Sequence, residues 1–153
     1  MPLLRIETRI QATQTVCFDL ARSVSAHVAP MSKSGERVVA GKMTGLLGLG
    51  DEVTWEARHF GVKQRLTARI TRMEAPTLFV DEMVSGAFAE FQHSHEFEDL
   101  GAGTTLMRDI FSFRSPLGPL GRLADALFLT RYMRRLLQVR ASHLKSEAEA
   151  HAR

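Results

Sequence analysis

The stretch FQHSHEF, residues 91–97, alternates aromatic or imidazole side chains with polar ones. In a β-strand, side chains two positions apart lie on the same face. The two phenylalanines and two histidines would therefore share one face, and Gln92, Ser94 and Glu96 the other. Aromatic rings mixed with histidines pack poorly as a core unless they line a space. We interpret the stretch as a strand facing a cavity with a few polar groups, the usual composition of a small-molecule site.

Similar segments flank this strand on both sides. Alternating or apolar runs separated by glycine-containing or proline-containing turns predict an antiparallel meander, with strands at residues 36–44, 53–59, 62–70, 78–84, 88–97 and 104–113. Residues 4–10 alternate in the same way and predict a further strand. Thr13 is placed to cap a short helix after it, and a second short helical turn ends before Pro30.

The C-terminal third of the chain has a helical pattern from residue 121 to about residue 150. One face is apolar and includes Tyr132, Met133 and Leu136, while arginines lie opposite. The region Leu117–Phe128 is apolar nearly all round. This pattern predicts either a surface that a loop or a partner chain covers, as in a homodimer, or the mouth of a pocket.

Length and composition bound the classes of protein that need to be considered. The 153 residues suit one ordinary domain, which we place at residues 1–150. The lone Cys17 excludes an internal disulfide, and no signal peptide or membrane span is evident, so we expect a cytoplasmic protein. The net charge is only +3, and the arginine clusters lack aromatics for base stacking, so we predict no nucleic-acid partner.

The order of elements resembles the helix-grip fold of the START-like, or SRPBCC, superfamily. This is an α+β fold in which an antiparallel sheet of about seven strands wraps a long C-terminal helix, with two short helices after the first strand. A closer resemblance, to the bacterial ligand-binding SRPBCC and polyketide cyclase/dehydrase-like group, is carried by residues 50–55, 59–61, 79–83, 91–97 and 115–121. The resemblance implies a cavity between sheet and helix, but this fold contains carriers, enzymes and adaptors.

Candidate binding residues follow from the inferred strand pairing and from the apolar helix face. Small residues such as Ala57 and Ala68 would leave space between sheet and helix, and the polar members would orient a ligand. We predict these residues to contact it: Trp55, His59, Gln64, Leu66, Asp81, Met83, Phe91, His93, His95, Met107, Asp109, Phe111, Tyr132, Met133 and Leu136.

The polar members of this set offer two kinds of chemistry. A buried carboxylate needs a partner, so we expect Asp81 and Asp109 to bond to His93, His95 or Arg140. An Asp–His pair can be structural, or it can transfer protons as a catalytic acid and base. Two histidines on one strand face also suit a metal ion, but no further ligand motif accompanies them, and we predict neither metal nor cofactor.

The leading hypothesis is that the chain binds a small apolar or amphipathic molecule in this cavity. One alternative is a cyclase, dehydratase or isomerase that uses the histidines and aspartates named above as an acid–base pair. The other is a protein-binding adaptor that uses the Leu117–Phe128 region.

Overall fold

A seven-stranded antiparallel sheet forms the body of the computed structural model, which describes residues 3–28, 36–59, 61–86, 88–115, 118–124 and 128–152. Its spatial order is β1-β7-β6-β5-β4-β3-β2, so each strand after β2 pairs with the next along the chain and β1 closes on β7. The strands are β1 Leu3–Ile10, β2 Arg37–Gly41, β3 Glu52–His59, β4 Val62–Glu74, β5 Leu78–Ser85, β6 Glu90–Gly101 and β7 Thr104–Arg114.

Four helices accompany the sheet in the described residues. They are α1 Gln14–Ala21, α2 Val24–Val28, α3 Gly118–Ala124 and α4 Thr130–His151. Thr13 caps α1 as predicted, because its hydroxyl accepts a hydrogen bond from the Val16 backbone amide. None of these helices has the length and apolar character needed to cross a bilayer.

The predicted fold class is confirmed: an antiparallel sheet, two short helices after β1 and a long C-terminal helix. Three differences concern element bounds. β2 ends at Gly41, three residues before the predicted end at residue 44. β4 and β6 run several residues further than their alternation indicated, because the side chains near their ends are mostly exposed and no longer alternate. The predicted C-terminal helix corresponds to both α3 and α4.

The core between sheet and helices is centred on Phe18 of α1. Its ring meets Phe79 of β5 and Phe97 of β6 edge to face, each with centroids 5.6 Å apart. The Phe18 side chain is 1% exposed, and edge-to-face pairs of this kind add to the free energy gained by burial. This contact fixes α1 against β5 and β6.

We expect Phe18→Ala to lower the free energy of unfolding by about 3–5 kcal/mol, because it removes a buried ring and leaves a cavity. Phe128→Ala is the matched control, since Phe128 is 65% exposed and its loss should change stability by less than about 0.5 kcal/mol. Urea denaturation followed by circular dichroism measures both. Equal effects in the two variants would contradict the assignment of Phe18 to the core.

Candidate functional site

A cavity of about 350 Å³ lies between the inner face of the sheet and helix α4. Its volume is within the range of small-molecule pockets. Aromatic side chains line much of it: Trp55, Phe79, Phe88, Phe91, Phe111 and Tyr132. Small residues on β3 and β4, Ala57 and Ala68, leave part of the space open.

Eleven of the predicted binding residues line this cavity: Trp55, Gln64, Leu66, Asp81, Phe91, His93, His95, Phe111, Tyr132, Met133 and Leu136. Three lie elsewhere. Met83 packs against the edge of the core, whereas Met107 and Asp109 line a separate space of about 50 Å³ towards the inner side of α4. The side chain of His59 is outside the described residues.

Strands β5, β6 and β7 bring the polar side chains together through their register. Asp81 lies opposite His93, and His95 lies opposite Asp109. The hydrogen bonds, however, run diagonally: His95 Nε2 donates to Asp81 Oδ1 at 2.7 Å, and His93 Nε2 donates to Asp109 Oδ1 at 2.9 Å. Diagonal neighbours on a sheet are within reach of long side chains.

His95 is the centre of this cluster. Its second ring nitrogen, Nδ1, lies 3.5 Å from Asp109 Oδ1, so its two nitrogens face two different carboxylates. The ring is sandwiched between Phe79 and His93, with centroids 4.1 Å and 3.7 Å away. The imidazole is therefore fixed in position on both faces and at both nitrogens.

The protonation states follow from burial and from these contacts. Burial by itself lowers the pKa of His95, but the bonds to Asp109 and Asp81 and their charges outweigh it and raise the pKa to about 9. Burial, reinforced by the charge of His95, lowers the pKa of His93. Burial favours the neutral forms of Asp81 and Asp109, but the histidine bonds outweigh it and lower the pKa of both carboxyls. At neutral pH the cluster therefore holds two carboxylates, one imidazolium and one neutral imidazole.

A second polar group in the cavity was not predicted from the sequence. Arg140 of α4 donates through Nη2 to both carboxylate oxygens of Glu36, at 3.1 Å each, and His27 Nε2 lies 3.3 Å from the same carboxylate. The His27 ring stacks on Trp55 with centroids 4.1 Å apart. Of the three expected partners of Asp81 and Asp109, the two histidines are the ones that bond to them, and Arg140 pairs with Glu36 instead. Glu36 and Arg140 are 104 positions apart, and no local pattern signals such a contact.

Metal binding is geometrically conceivable at the first cluster, since ligand atoms of Asp81, His93 and His95 lie within 4.8 Å of one another. One ligand atom of each residue, Asp81 Oδ1, His93 Nε2 and His95 Nε2, is already engaged in a hydrogen bond. A cation would have to displace the proton of an imidazole whose pKa is raised to about 9. We therefore treat the cluster as a hydrogen-bonded network.

The apolar loop at residues 45–50 forms one side of the cavity through Leu47, which is buried. Its backbone is held at two points: the Leu47 amide donates to the Arg22 carbonyl at 2.9 Å, and the Gly50 amide donates to the Ile70 carbonyl at 2.8 Å. The loop thus closes the space between the α1–α2 corner and β4.

The region Leu117–Phe128 remains a predicted interaction surface. Within the residues the structure describes there, three large apolar side chains are exposed: Leu120, Leu123 and Phe128. Leu117 and residues 125–127 lie outside the described part of the chain.

The chain matches one protein family in sequence and several solved structures in fold. The family described as "Polyketide cyclase / dehydrase and lipid transport" matches residues 5–149. No protein of the curated set matches the chain in sequence.

Solved structures share the fold over nearly their whole length. TTHA0849 from Thermus thermophilus is 18% identical, with a TM-score of 0.79 over 99% of this chain and 100% of that one. The Zhui aromatase/cyclase from Streptomyces sp. R1128 is 13% identical, with a TM-score of 0.75 over 99% and 96%. The ginseng major latex-like protein 151 from Panax ginseng is 15% identical, with a TM-score of 0.69 over 96% and 97%. The resemblance to the START-like superfamily is confirmed, and at these identities the matches show the fold alone.

The protonation of His95 makes stability depend on pH. Its pKa rises from 6.5 in the unfolded chain to about 9 in the folded one, so its contribution is fully present below pH 6.5 and is lost as the pH rises through about 9. We expect the free energy of unfolding to fall across this interval, and to fall less in His95→Gln, which cannot carry the charge. Urea denaturation at a series of pH values measures this. An equal slope in both proteins would contradict the assigned charge.

Proposed function

This chain belongs to the polyketide cyclase / dehydrase and lipid transport family, and from that premise and the geometry of its cavity we propose that it binds one small apolar or amphipathic molecule between the sheet and α4. Residues 1–150 act in this proposal as a single ligand-binding domain. The apolar part of the ligand contacts the aromatic side chains and Leu66, Met133 and Leu136. Its polar part contacts the groups around His95.

The observation that carries the proposal is an open cavity whose lining is mostly apolar and includes two clusters of hydrogen-bonded polar groups. Burial of apolar ligand surface there contributes about 25 cal/mol per Å² before the cost of association. The aromatic lining is already ordered by packing, as with Phe91 against Phe111 at a centroid distance of 5.1 Å. Little side-chain entropy is therefore lost when a ligand enters.

The adaptor alternative predicts a filled interior, since protein binding at the Leu117–Phe128 region needs no cavity. The open space of about 350 Å³ favours a small-molecule binder instead. The exposed leucines of α3 remain compatible with self-association, and dimerisation through them stays a prediction.

Binding can be followed through Trp55, which is the chain's only tryptophan and lines the cavity. We expect the neutral dye N-phenyl-1-naphthylamine to bind one per chain and to quench Trp55. Ala57→Leu places extra methyl groups into the cavity and should weaken binding about tenfold. Ala150→Leu makes the same change at an exposed position near the end of α4; it is the matched control and should leave affinity unchanged. Absence of quenching in the unaltered protein, or equal affinity in both variants, would contradict a binding site in this cavity.

A second candidate function is acid–base catalysis, which the hydrogen-bonded aspartates and histidines favour. A cyclase, dehydratase or isomerase would move protons through Asp81, because both nitrogens of His95 face carboxylates. At neutral pH the imidazolium is a proton donor rather than a base, and the lowered pKa of Asp81 makes that carboxylate a weak base. These protonation states suit ligand orientation better than proton abstraction, so binding is the leading proposal.

The molecule retained during purification separates the two candidates. We expect native mass spectrometry to find one bound small molecule, and we expect the molecule extracted from Asp81→Asn to remain unchanged when the unaltered protein is added to it. An enzyme would instead convert it, because Asp81→Asn blocks proton transfer and retains unreacted substrate. Conversion by the unaltered protein and not by the variant would overturn the binding proposal in favour of catalysis.

A further inference from the structure

Of the two carboxylates in the cluster around His95, only Asp81 lines the cavity. Asp81 Oδ1 is bonded to His95, whereas Asp81 Oδ2 makes no hydrogen bond to any residue that the structure describes. The Asp81 side chain lines the cavity and is 18% exposed, twice the 9% of Asp109. Asp81 is therefore the carboxylate of the pair that presents an oxygen to the cavity.

His95 has no donor left for a ligand. Its Nε2 is directed at Asp81 and its Nδ1 at Asp109. A carboxylate entering the cavity could not bond to this imidazolium without displacing one of the protein's own carboxylates. It would also lie next to Asp81, where like charges in a poorly hydrated space repel.

The charge balance of the cluster points the same way. Two carboxylates share one imidazolium, because His93 is neutral when its pKa is lowered. The other charged residues that line the cavity already have partners: Arg140 pairs with Glu36, Asp51 with Lys42, and Arg65 with Glu56, which Arg37 and Lys63 also contact. The two carboxylates that face His95 therefore have one cation between them in the cluster, and a cationic ligand group would complete the balance.

Resting on the proposed binding function, we infer that the cavity selects apolar molecules whose polar end is an ammonium or a hydroxyl group that donates a hydrogen bond to Asp81. It selects against carboxylates such as fatty acids. An ammonium both donates to Asp81 Oδ2 and balances the charge. A hydroxyl donates without balancing it. A carboxylate does neither.

The test uses three amphiphiles with the same apolar chain: decylammonium, decanol and decanoate. Each is used at neutral pH, the two ions below their critical micelle concentrations and decanol below its solubility limit. Each competes with N-phenyl-1-naphthylamine for the unaltered protein. We expect decylammonium to bind tightest and decanoate weakest. Their dissociation constants should differ by about 10-fold to 100-fold, which is the ratio that a hydrogen bond to a charged group produces.

Asp81→Asn removes the charge but keeps an oxygen that accepts from His95. We expect this variant to lose most of the preference for decylammonium over decanoate. Glu98→Gln is the control: it removes one carboxylate from the outer face of β6, where Glu98 pairs with Arg108, and should keep the preference. Thermal unfolding of each variant checks that it is folded.

The outcomes separate this inference from the proposed function. If the neutral dye binds but the three amphiphiles have equal affinities, or decanoate has the highest affinity, the inference is overturned and the binding function stands. An unchanged preference in Asp81→Asn overturns the role of Asp81. Failure of the unaltered protein to bind the dye overturns both, and the expected order with its loss in Asp81→Asn supports both.

Discussion

One imidazolium shared by two buried carboxylates is the interaction on which the arrangement of the site depends. Asp81 and Asp109 lie inside a largely apolar sheet, and a buried carboxylate without a partner is strongly destabilising. His95 bonds to one and contacts the other, and His93 completes the set through Asp109. The three strands β5, β6 and β7 are thereby joined by side chains as well as by their backbone ladders.

This requirement also fixes which face of the sheet lines the cavity. A slip of β6 by one residue would turn His93 and His95 outward and leave both aspartates unpaired inside. The same register places Phe79 opposite His95 and Phe111 opposite His93, so aromatic rings border the polar group. Because the polar atoms largely satisfy one another, the remaining space can stay apolar and open.

The sequence predicts those features of the site that follow from the alternation of side chains along single strands. Alternation in residues 91–97 predicted a face carrying both histidines, and the meander brought Asp81 and Asp109 beside it. Alternation does not show that the bonds run diagonally, because sheet twist and side-chain length decide that. It also missed the Glu36–Arg140 pair, whose members are far apart in the chain. It placed Met83, Met107 and Asp109 in a cavity that they do not line.

The two polar groups of the cavity differ in what they leave for a ligand. The carboxylate of Glu36 accepts two bonds from one nitrogen of Arg140, so this pair balances its own charge. The cluster at His95 does not, because two carboxylates share one imidazolium and Asp81 Oδ2 remains available on the cavity side. An amphipathic molecule bound as proposed would therefore meet different electrostatic surroundings at the two groups. The sheet register, which satisfies the buried carboxylates, in this way also sets the charge that each end of the cavity presents.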